Sequence, residues 1–227
     1  MNVPIVLHPE CADLNFNPAT SRVTFGISLS EDIEFGLLNK LVHSVQGTAP
    51  HMVLLLHQYN WATLPDRLNT GEISLVVGYD LPTHAHLRQH DLRSFDFHVL
   101  RADCVPGPIG IRAFCMRSHI VTPGSEQVSR HIDCELMKLG HTRHIALAVP
   151  NYSCLRSVLA GTDRIAIVPK HVADILVSQG GVRSEPLPIS PYTTTLTLTW
   201  PVSLDRARAN QWFRSRIGVL VDGTCDQ

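Results

Sequence analysis

Apolar and polar residues follow two different periods along this chain. Residues 23–29 place an apolar side chain at every second position, which predicts a β-strand. Residues 30–47 place apolar side chains three and four positions apart, which predicts an α-helix with Ser30 at its N-cap and Gly47 at its end. The same change of period recurs along the chain. Strands that alternate with helices indicate parallel sheets with right-handed crossovers, so the pattern predicts an α/β protein.

The rest of the chain continues this alternation up to residue 217. Further strands are predicted at residues 52–56, 73–77, 97–100, 119–121, 145–149, 165–168 and 195–200. Further helices are predicted at residues 63–71, 125–140, 152–160, 170–178 and 205–217. Residues 81–94 are polar and predict a surface connection, residues 101–117 predict loops, and residues 187–191 predict a proline-punctuated linker.

Composition narrows the class of protein. Hydrophobic residues make up 44% and charged residues 17% of 227 residues, as expected for a folded protein with a sizeable core. The net charge of −1 gives no basic surface for nucleic acid. The apolar stretch at residues 3–7 is too short for a signal peptide or a membrane span, so we expect a soluble cytoplasmic protein. Six cysteines without a CxxC pair predict reduced thiols.

The most informative motif is AVPNYSCLRSVLAGTDRIAIVP at residues 148–169. It predicts the end of a strand, a helix after Asn151, a glycine stop at Gly161 and a buried strand. It resembles the second lobe of the effector-binding domain of LysR-type transcriptional regulators, although another βαβ unit of an unrelated α/β protein would give a similar pattern. PATSRVTFGISLSEDIEFGLL, RLNTGEISLVVG and LTLTWPVSLDRARANQWFRSRI resemble other parts of the same domain in the same order. The subgroup that it most resembles senses aromatic acids and related inducers.

This resemblance implies a two-lobed, type 2 periplasmic-binding-protein-like fold with mixed sheets and a hinge. Lobe I is expected at residues 21–97 and 190–217, lobe II at residues 98–189, and a residual linker at residues 1–20. The family's N-terminal helix-turn-helix is absent from the sequence, so DNA binding is expected only through that domain. The expected partners are a small-molecule effector and further copies of the chain, as a homodimer or tetramer, with no membrane.

Ligands of open α/β sheets bind beyond the carboxyl ends of the strands. This rule selects a set of turn residues as ligand contacts: Ser30, Asn60, Trp61, Gly124, Ser125, Asn151 and Tyr152. Trp61, Tyr152, Phe97 and His98 could enclose an aromatic ring, and the resemblance implies that Asn151 and Thr199 line the effector pocket. Plain helix capping is the alternative role for Ser30, Ser125 and Asn151.

Charge decides where a carboxylate would bind. Free N–H groups at strand-to-helix turns favour anions, but the turn after Ser30 already carries Glu31, Asp32 and Glu34. The turn after Asn151 has no acid and has Arg156 one turn later. We therefore expect a carboxylate near Gly124, Ser125 and Asn151, and no cofactor.

The sequence contains no constellation typical of an enzyme. GxSxG, Walker A, strand-associated GxGxxG and HExxH motifs are absent. The histidines at positions 84, 86, 90, 131, 141 and 144 are interpreted as solvated loop residues and not as metal ligands. We expect a non-enzymatic ligand sensor; a stand-alone solute-binding protein or an enzyme on the same scaffold remains an alternative.

Overall fold

The structure is a computed structural model that describes residues 16–60, 62–79, 81, 84–104, 107–122 and 124–223. The chain forms two compact units. The first unit contains Met1–Arg93 and Thr195–Gln227, and the second contains Ser94–Thr194. The lobe boundaries that the sequence analysis places at residues 97/98 and 189/190 stay predictions.

The described elements alternate between strands and helices for most of the chain. The strands are β1 (Thr24–Leu29), β2 (Val53–His57), β3 (Leu75–Gly78), β4 (Leu87–Ala102), β5 (Ser118–Val121), β6 (His144–Ala148), β7 (Ile165–Pro169), β8 (Val182–Pro186) and β9 (Thr193–Pro201). The helices are α1 (Glu31–Thr48), α2 (Leu64–Asn69), α3 (Ile111–Met116), α4 (Glu126–Lys138), α5 (Leu155–Leu159), α6 (Lys170–Ser178) and α7 (Arg208–Asp222).

In the first unit, β1 lies between β2 and β3 and is parallel to both. The last strand, β9, is antiparallel to β3 and is followed in the strand order by β4. Phe25 on β1 stacks on Phe213 of α7, with ring centroids 4.6 Å apart. The apolar stripe of α1 is buried, including Leu37 and Leu41, so this face belongs to the core of the unit.

In the second unit, β5 lies between β6 and β7 and is parallel to both. β4 is antiparallel to β7 and to β8. All five residues of β7 are buried, as expected of a strand covered on both faces. Helix α4 buries Val128, Ile132 and Leu136 at helical spacing in a core that includes Phe114.

Three elements correct the sequence-based prediction. Part of the segment 81–94 belongs to β4, which is 16 residues long and mixes polar with apolar residues, so no clear alternation marks its first half. Because β4 is continuous, the hydrogen-bonded strand order also continues from β9 through β4 to β7. Residues 101–117 were predicted as loops but contain α3. Strand β8 was not predicted because VRSEP has little apolar character.

Two further corrections concern burial and helix length. The apolar run at residues 52–56 was predicted as a buried strand, yet β2 is only partly covered, with Val53 46% exposed. β2 is the first strand of the sheet order, so no other described strand pairs with one of its edges. The helix predicted at residues 152–160 is a 3-10 turn (Tyr152–Cys154) followed by the five-residue α5.

Candidate functional site

Unpaired buried hydroxyl groups mark the carboxyl end of β1 in the first unit. Ser30 follows β1 directly and is 5% exposed. Its backbone N–H donates to the carbonyl oxygen of Val77 at 2.8 Å, but its Oγ has no hydrogen-bond partner among the described residues. An unsatisfied buried hydroxyl costs about 1–3 kcal/mol, so a ligand that pairs with it would recover free energy.

Two further hydroxyls lie in one row across the sheet. Ser28 is opposite Val76, and Val76 is opposite Thr199. Residues in register point to the same face of a sheet, so both hydroxyls lie on the same face as Ser30, two residues further along. Ser28 and Thr199 are fully buried, and neither side-chain oxygen has a partner in the described part of the chain. Ser28 was not predicted as a site residue.

The turn after β2 is held by Tyr59. Its Oη donates to the carbonyl oxygen of Tyr79 at 2.8 Å and accepts from the Tyr79 N–H at 3.2 Å. The ring lies directly over Gly78, where a Cβ atom would approach it to 2.3 Å. Asn60 is exposed, and its Oδ1 accepts from the backbone of Ala62 at 3.1 Å. Trp61 lies outside the described residues.

The first turn of α1 is acidic. Glu31, Asp32 and Glu34 lie in this turn, and Asp32 is buried. The phenol of Tyr79 donates to Asp32 Oδ2 at 2.6 Å. Negative charge already complements the helix N-terminus, so the charge distribution disfavours an anion beside Ser30.

The corresponding turn of the second unit precedes α4. Gly124 has φ +70 and is exposed. Ser125 donates its Oγ to the carbonyl oxygen of Thr122 at 2.5 Å, so its side chain does not cap α4. Thr122 is 5% exposed, and its Oγ1 has no partner among the described residues. The sequence prediction missed Thr122, whose signal was its place directly after β5.

Asn151 and Tyr152 form the turn after β6. Asn151 is exposed and accepts a hydrogen bond from Ser153 Oγ at 2.5 Å, whereas Tyr152 is buried. Arg156, which was expected to support an anion here, donates its Nε to the carbonyl oxygen of Gly180 at 2.8 Å. No acid lies in the first turn after Asn151.

Phe97 and His98 are neighbours on β4 and therefore point to opposite faces. Phe97 packs against the core of the second unit and against Tyr192, with ring centroids 5.4 Å apart. The Nδ1 atom of His98 is buried without a partner in the described residues. Burial, and then the charge of Lys170, lower the pKa of His98 below its ordinary value.

The predicted residues divide between the units: Ser30, Asn60 and Thr199 belong to the first, and Phe97, His98, Gly124, Ser125, Asn151 and Tyr152 to the second. Helix capping was the alternative role for three of them. None of the side chains of Ser30, Ser125 and Asn151 makes a capping hydrogen bond. The side-chain polar atoms of these residues therefore do not cap the N-termini of the helices that follow them.

Histidines and acids do not cluster as metal ligands in the part of the chain that the structure describes, since no group of three or more is found there. His119 instead belongs to the core and is 0% exposed. Its Nε2 lies 2.9 Å from the Phe114 carbonyl oxygen, and its Nδ1 lies 3.4 Å from Arg143. Burial lowers the pKa of His119 to about 4. In the loop that precedes β6, the side chain of Arg143 is only 2% exposed, and its Nε lies 2.8 Å from Asp133 Oδ1.

The chain resembles regulators in both sequence and structure. HTH-type transcriptional activator NahR of Pseudomonas putida is 24% identical over 88% of this chain and 68% of its own length. Nodulation protein D 3 of Rhizobium leguminosarum bv. phaseoli is 34% identical over 88% of this chain and 67% of its own length.

Solved structures show the same fold. The regulatory domain of MexT, a transcriptional activator in Pseudomonas aeruginosa, is 36% identical with a TM-score of 0.81, covering 87% of this chain and all of that domain. A putative transcriptional regulator from Vibrio parahaemolyticus has a TM-score of 0.82 at 18% identity, over 92% of this chain and 98% of that one. Among the described residues, no helix is both long and apolar enough to cross a membrane.

The family comparison agrees with these relatives. Residues 19–218 match the family described as the LysR substrate binding domain. Two α/β units, each with an antiparallel strand beside its parallel strands, accord with the fold of the regulatory domains. The chain therefore belongs to the LysR substrate-binding domain family, the effector-binding part of LysR-type transcriptional regulators.

Proposed function

We propose that this chain senses a small aromatic carboxylate or a related inducer for a LysR-type transcriptional regulator. The observation that carries the proposal is the set of buried, unpaired hydroxyls at the strand ends of both units, represented by Thr199 and Thr122. Unpaired buried polar groups are rare in folded proteins, and a ligand would supply the missing partners. Similarity to proteins described as transcriptional activators supports the regulatory role.

The carboxylate is assigned to the second unit. The side chain of Ser125 makes no capping hydrogen bond to α4, and the first turn of that helix carries one acid, Glu126, against the three of α1. The competing turn at Ser30 is acidic. Since Arg156 is directed to Gly180, backbone N–H groups and not a guanidinium would hold the charge. The body of the ligand is assigned to the hydroxyls of the first unit.

Ligand binding would change how copies of the regulator associate, and thereby the geometry of the DNA-bound oligomer. A ligand shifts a conformational equilibrium only through different affinities for the two states. DNA contact is assigned to a separate N-terminal domain, consistent with relatives of which this chain spans 68% and 67% of the length.

We also propose an isologous homodimer. The apolar stripe of α1 is buried within its own unit and cannot supply the surface. Exposed apolar residues lie on the outer strands β2 and β6, as well as on α3, α4 and α7. Val53 is 46%, Leu56 39%, Ile145 46% and Leu147 37% exposed. Sedimentation at about 50 μM, above a dimer dissociation constant of about 1 μM, should show a dimer; a monomer alone would contradict this proposal.

A thermal-shift panel tests the sensing function. The panel compares benzoate with benzyl alcohol, which lacks the charge, and with cyclohexanecarboxylate, which lacks the aromatic ring. A ligand at about a hundred times its Kd adds roughly 2.7 kcal/mol of stability. We expect aromatic carboxylates to raise the Tm and benzyl alcohol to raise it less. A panel of aromatic carboxylates without any shift would contradict the proposal, and release of a modified product would favour an enzyme.

A further inference from the structure

Residues 187–192 form a stiff segment between β8 and β9, which we call the strap. Pro188 and Pro191 lie within it, and Pro186 ends β8 immediately before it. Each proline fixes its φ angle near −65°, so the strap has few backbone conformations. The chain leaves the second unit after Thr194, two residues beyond the strap.

Three polar contacts bind the strap to α4. Tyr192 Oη donates to Gln127 Oε1 at 3.2 Å, and Ser190 Oγ donates to Glu135 Oε2 at 2.9 Å. Between them, His131 Nε2 lies 3.3 Å from the Ser190 carbonyl oxygen. Gln127, His131 and Glu135 are four residues apart and therefore share one face of the helix.

Apolar contacts hold the same segment against the core. The ring of Tyr192 packs between Phe97, at 5.4 Å, and His131, at 5.0 Å between ring centroids. Leu187 and Ile189 pack on the core cluster to which α4 contributes Val128 and others. The Phe97 N–H donates to the Tyr192 carbonyl oxygen at 3.3 Å. Tyr192 is thus fixed by its ring, its hydroxyl and its backbone.

We propose that the strap positions α4, and that Tyr192 is the positioning residue for its first turn. Gln127 is the second residue of α4, so the Tyr192 contact lies next to the Gly124–Ser125 turn. A shift of that turn would be passed along the stiff strap to the point where the chain leaves the unit. The importance of this turn rests on the proposed function, whereas the mechanical link can be tested without a ligand.

Amide hydrogen exchange of α4 tests the link. Tyr192→Phe keeps the ring and removes the hydroxyl, and Ser190→Ala removes the contact with Glu135. Each should speed exchange of the Ser129, Arg130 and His131 amides about threefold to tenfold, as expected for the loss of one hydrogen bond. Tyr79→Phe, which removes the phenol bound to Asp32, is the matched control and should leave these amides unchanged.

A double variant distinguishes positioning from general weakening. If Tyr192 acts through Gln127, Gln127→Ala should add little to the exchange rates of Tyr192→Phe. Unchanged amide exchange of α4 in Tyr192→Phe, or equal acceleration of exchange in α4 and α6, would overturn the proposal that the strap positions α4.

Calorimetric titration with benzoate tests whether Tyr192 also affects ligand binding. Tyr192→Phe should weaken benzoate binding at least threefold relative to the parent. Faster α4 exchange with unchanged benzoate affinity would overturn the role of Tyr192 at the ligand turn. Failure of the parent to bind any aromatic carboxylate would instead count against the proposed function, and the exchange result would still decide the strap.

Discussion

The two units share a strand topology but differ in their buried polar groups. Each places an antiparallel strand beside three parallel ones, β9 in the first unit and β4 in the second. The first unit leaves Ser28, Ser30 and Thr199 unpaired in its interior. The second unit also leaves the Thr122 hydroxyl unpaired, but it additionally contains a buried ion pair, with Arg101 Nε 2.5 Å from Glu185 Oε1. A common topology thus fixes where a site can form, whereas side-chain charge decides which part of a ligand each unit can hold.

The largest expected effect concerns the buried ion pair of the second unit. Arg101 and Glu185 are 2% and 6% exposed, and Arg101→Ala would leave a buried carboxylate without its partner. We expect a loss of about 3–5 kcal/mol in the free energy of unfolding, measured with urea. Arg101→Leu combined with Glu185→Leu should recover much of it. Lys170→Ala, which removes an exposed ion pair with Asp174, should lower the free energy of unfolding by less than about 1 kcal/mol. An equal loss in Arg101→Ala and Lys170→Ala would contradict this prediction.

His119 should make the second unit sensitive to acid. Its pKa is lowered to about 4 by burial, whereas an unfolded histidine has a pKa of about 6.5. The unfolded state therefore binds a proton first as the pH falls. The stabilisation is complete above about pH 6.5 and is lost progressively towards pH 4, by about 3 kcal/mol.

His119→Gln separates this effect from the other histidines. Its free energy of unfolding should fall less than that of the parent between pH 7 and pH 4.5. Parallel pH profiles for the two proteins would show that the buried imidazole is not the source.

Glycine substitutions compare the turns of the two units. Gly78→Ala would bring a methyl group within 2.3 Å of the Tyr59 ring and displace the turn that carries Asn60. Overpacking of this kind costs about 1–3 kcal/mol. Gly124→Ala meets no atom within 4 Å and carries only the strain of φ +70, about 1 kcal/mol. Thermal unfolding should rank the two variants in that order, and the reverse order would refute the assigned role of Tyr59.

The smallest expected effect has the opposite sign. Thr199→Val replaces an unpaired hydroxyl by a methyl group and should stabilise the ligand-free protein by about 1 kcal/mol. Thr197→Val on the same strand removes a hydroxyl that donates to the Gly78 carbonyl oxygen at 3.0 Å and should destabilise it by a similar amount. Destabilisation by both variants in urea unfolding would mean that Thr199 has a structural partner.

The strongly patterned elements could be predicted from the sequence. The strand period of residues 23–29 and the helical spacing of residues 125–140 correspond to β1 and α4 because apolar side chains follow one consistent face of each element. The first half of β4 and all of β8 lacked such a pattern. Their pairing is determined by neighbouring strands, which no short window of sequence contains.

The candidate site was predictable only in part. Strand ends pointed to Ser30 and Ser125, because the edge of a parallel sheet follows from its topology. Ser28 was missed, since a serine within an alternating strand resembles a solvent-facing residue. The available signal was that a parallel strand covered on both faces has no solvent side. The direction of Arg156 towards Gly180 depends on tertiary contacts and could not be read from spacing.

The central claim, that the second unit binds the charge and the first unit binds the neutral part of the ligand, is tested most directly by calorimetric titration. The titrant is the aromatic carboxylate that raises the Tm most. Asn151→Asp should weaken binding by about 1 kcal/mol, about fivefold in Kd, because it places like charge beside the carboxylate. Asn151→Ala controls for loss of the amide, and Ser30→Ala should weaken binding less than Asn151→Asp. If Asn151→Asp binds as tightly as the parent while Ser30→Ala loses the ligand, the charge is bound by the first unit and the account is wrong.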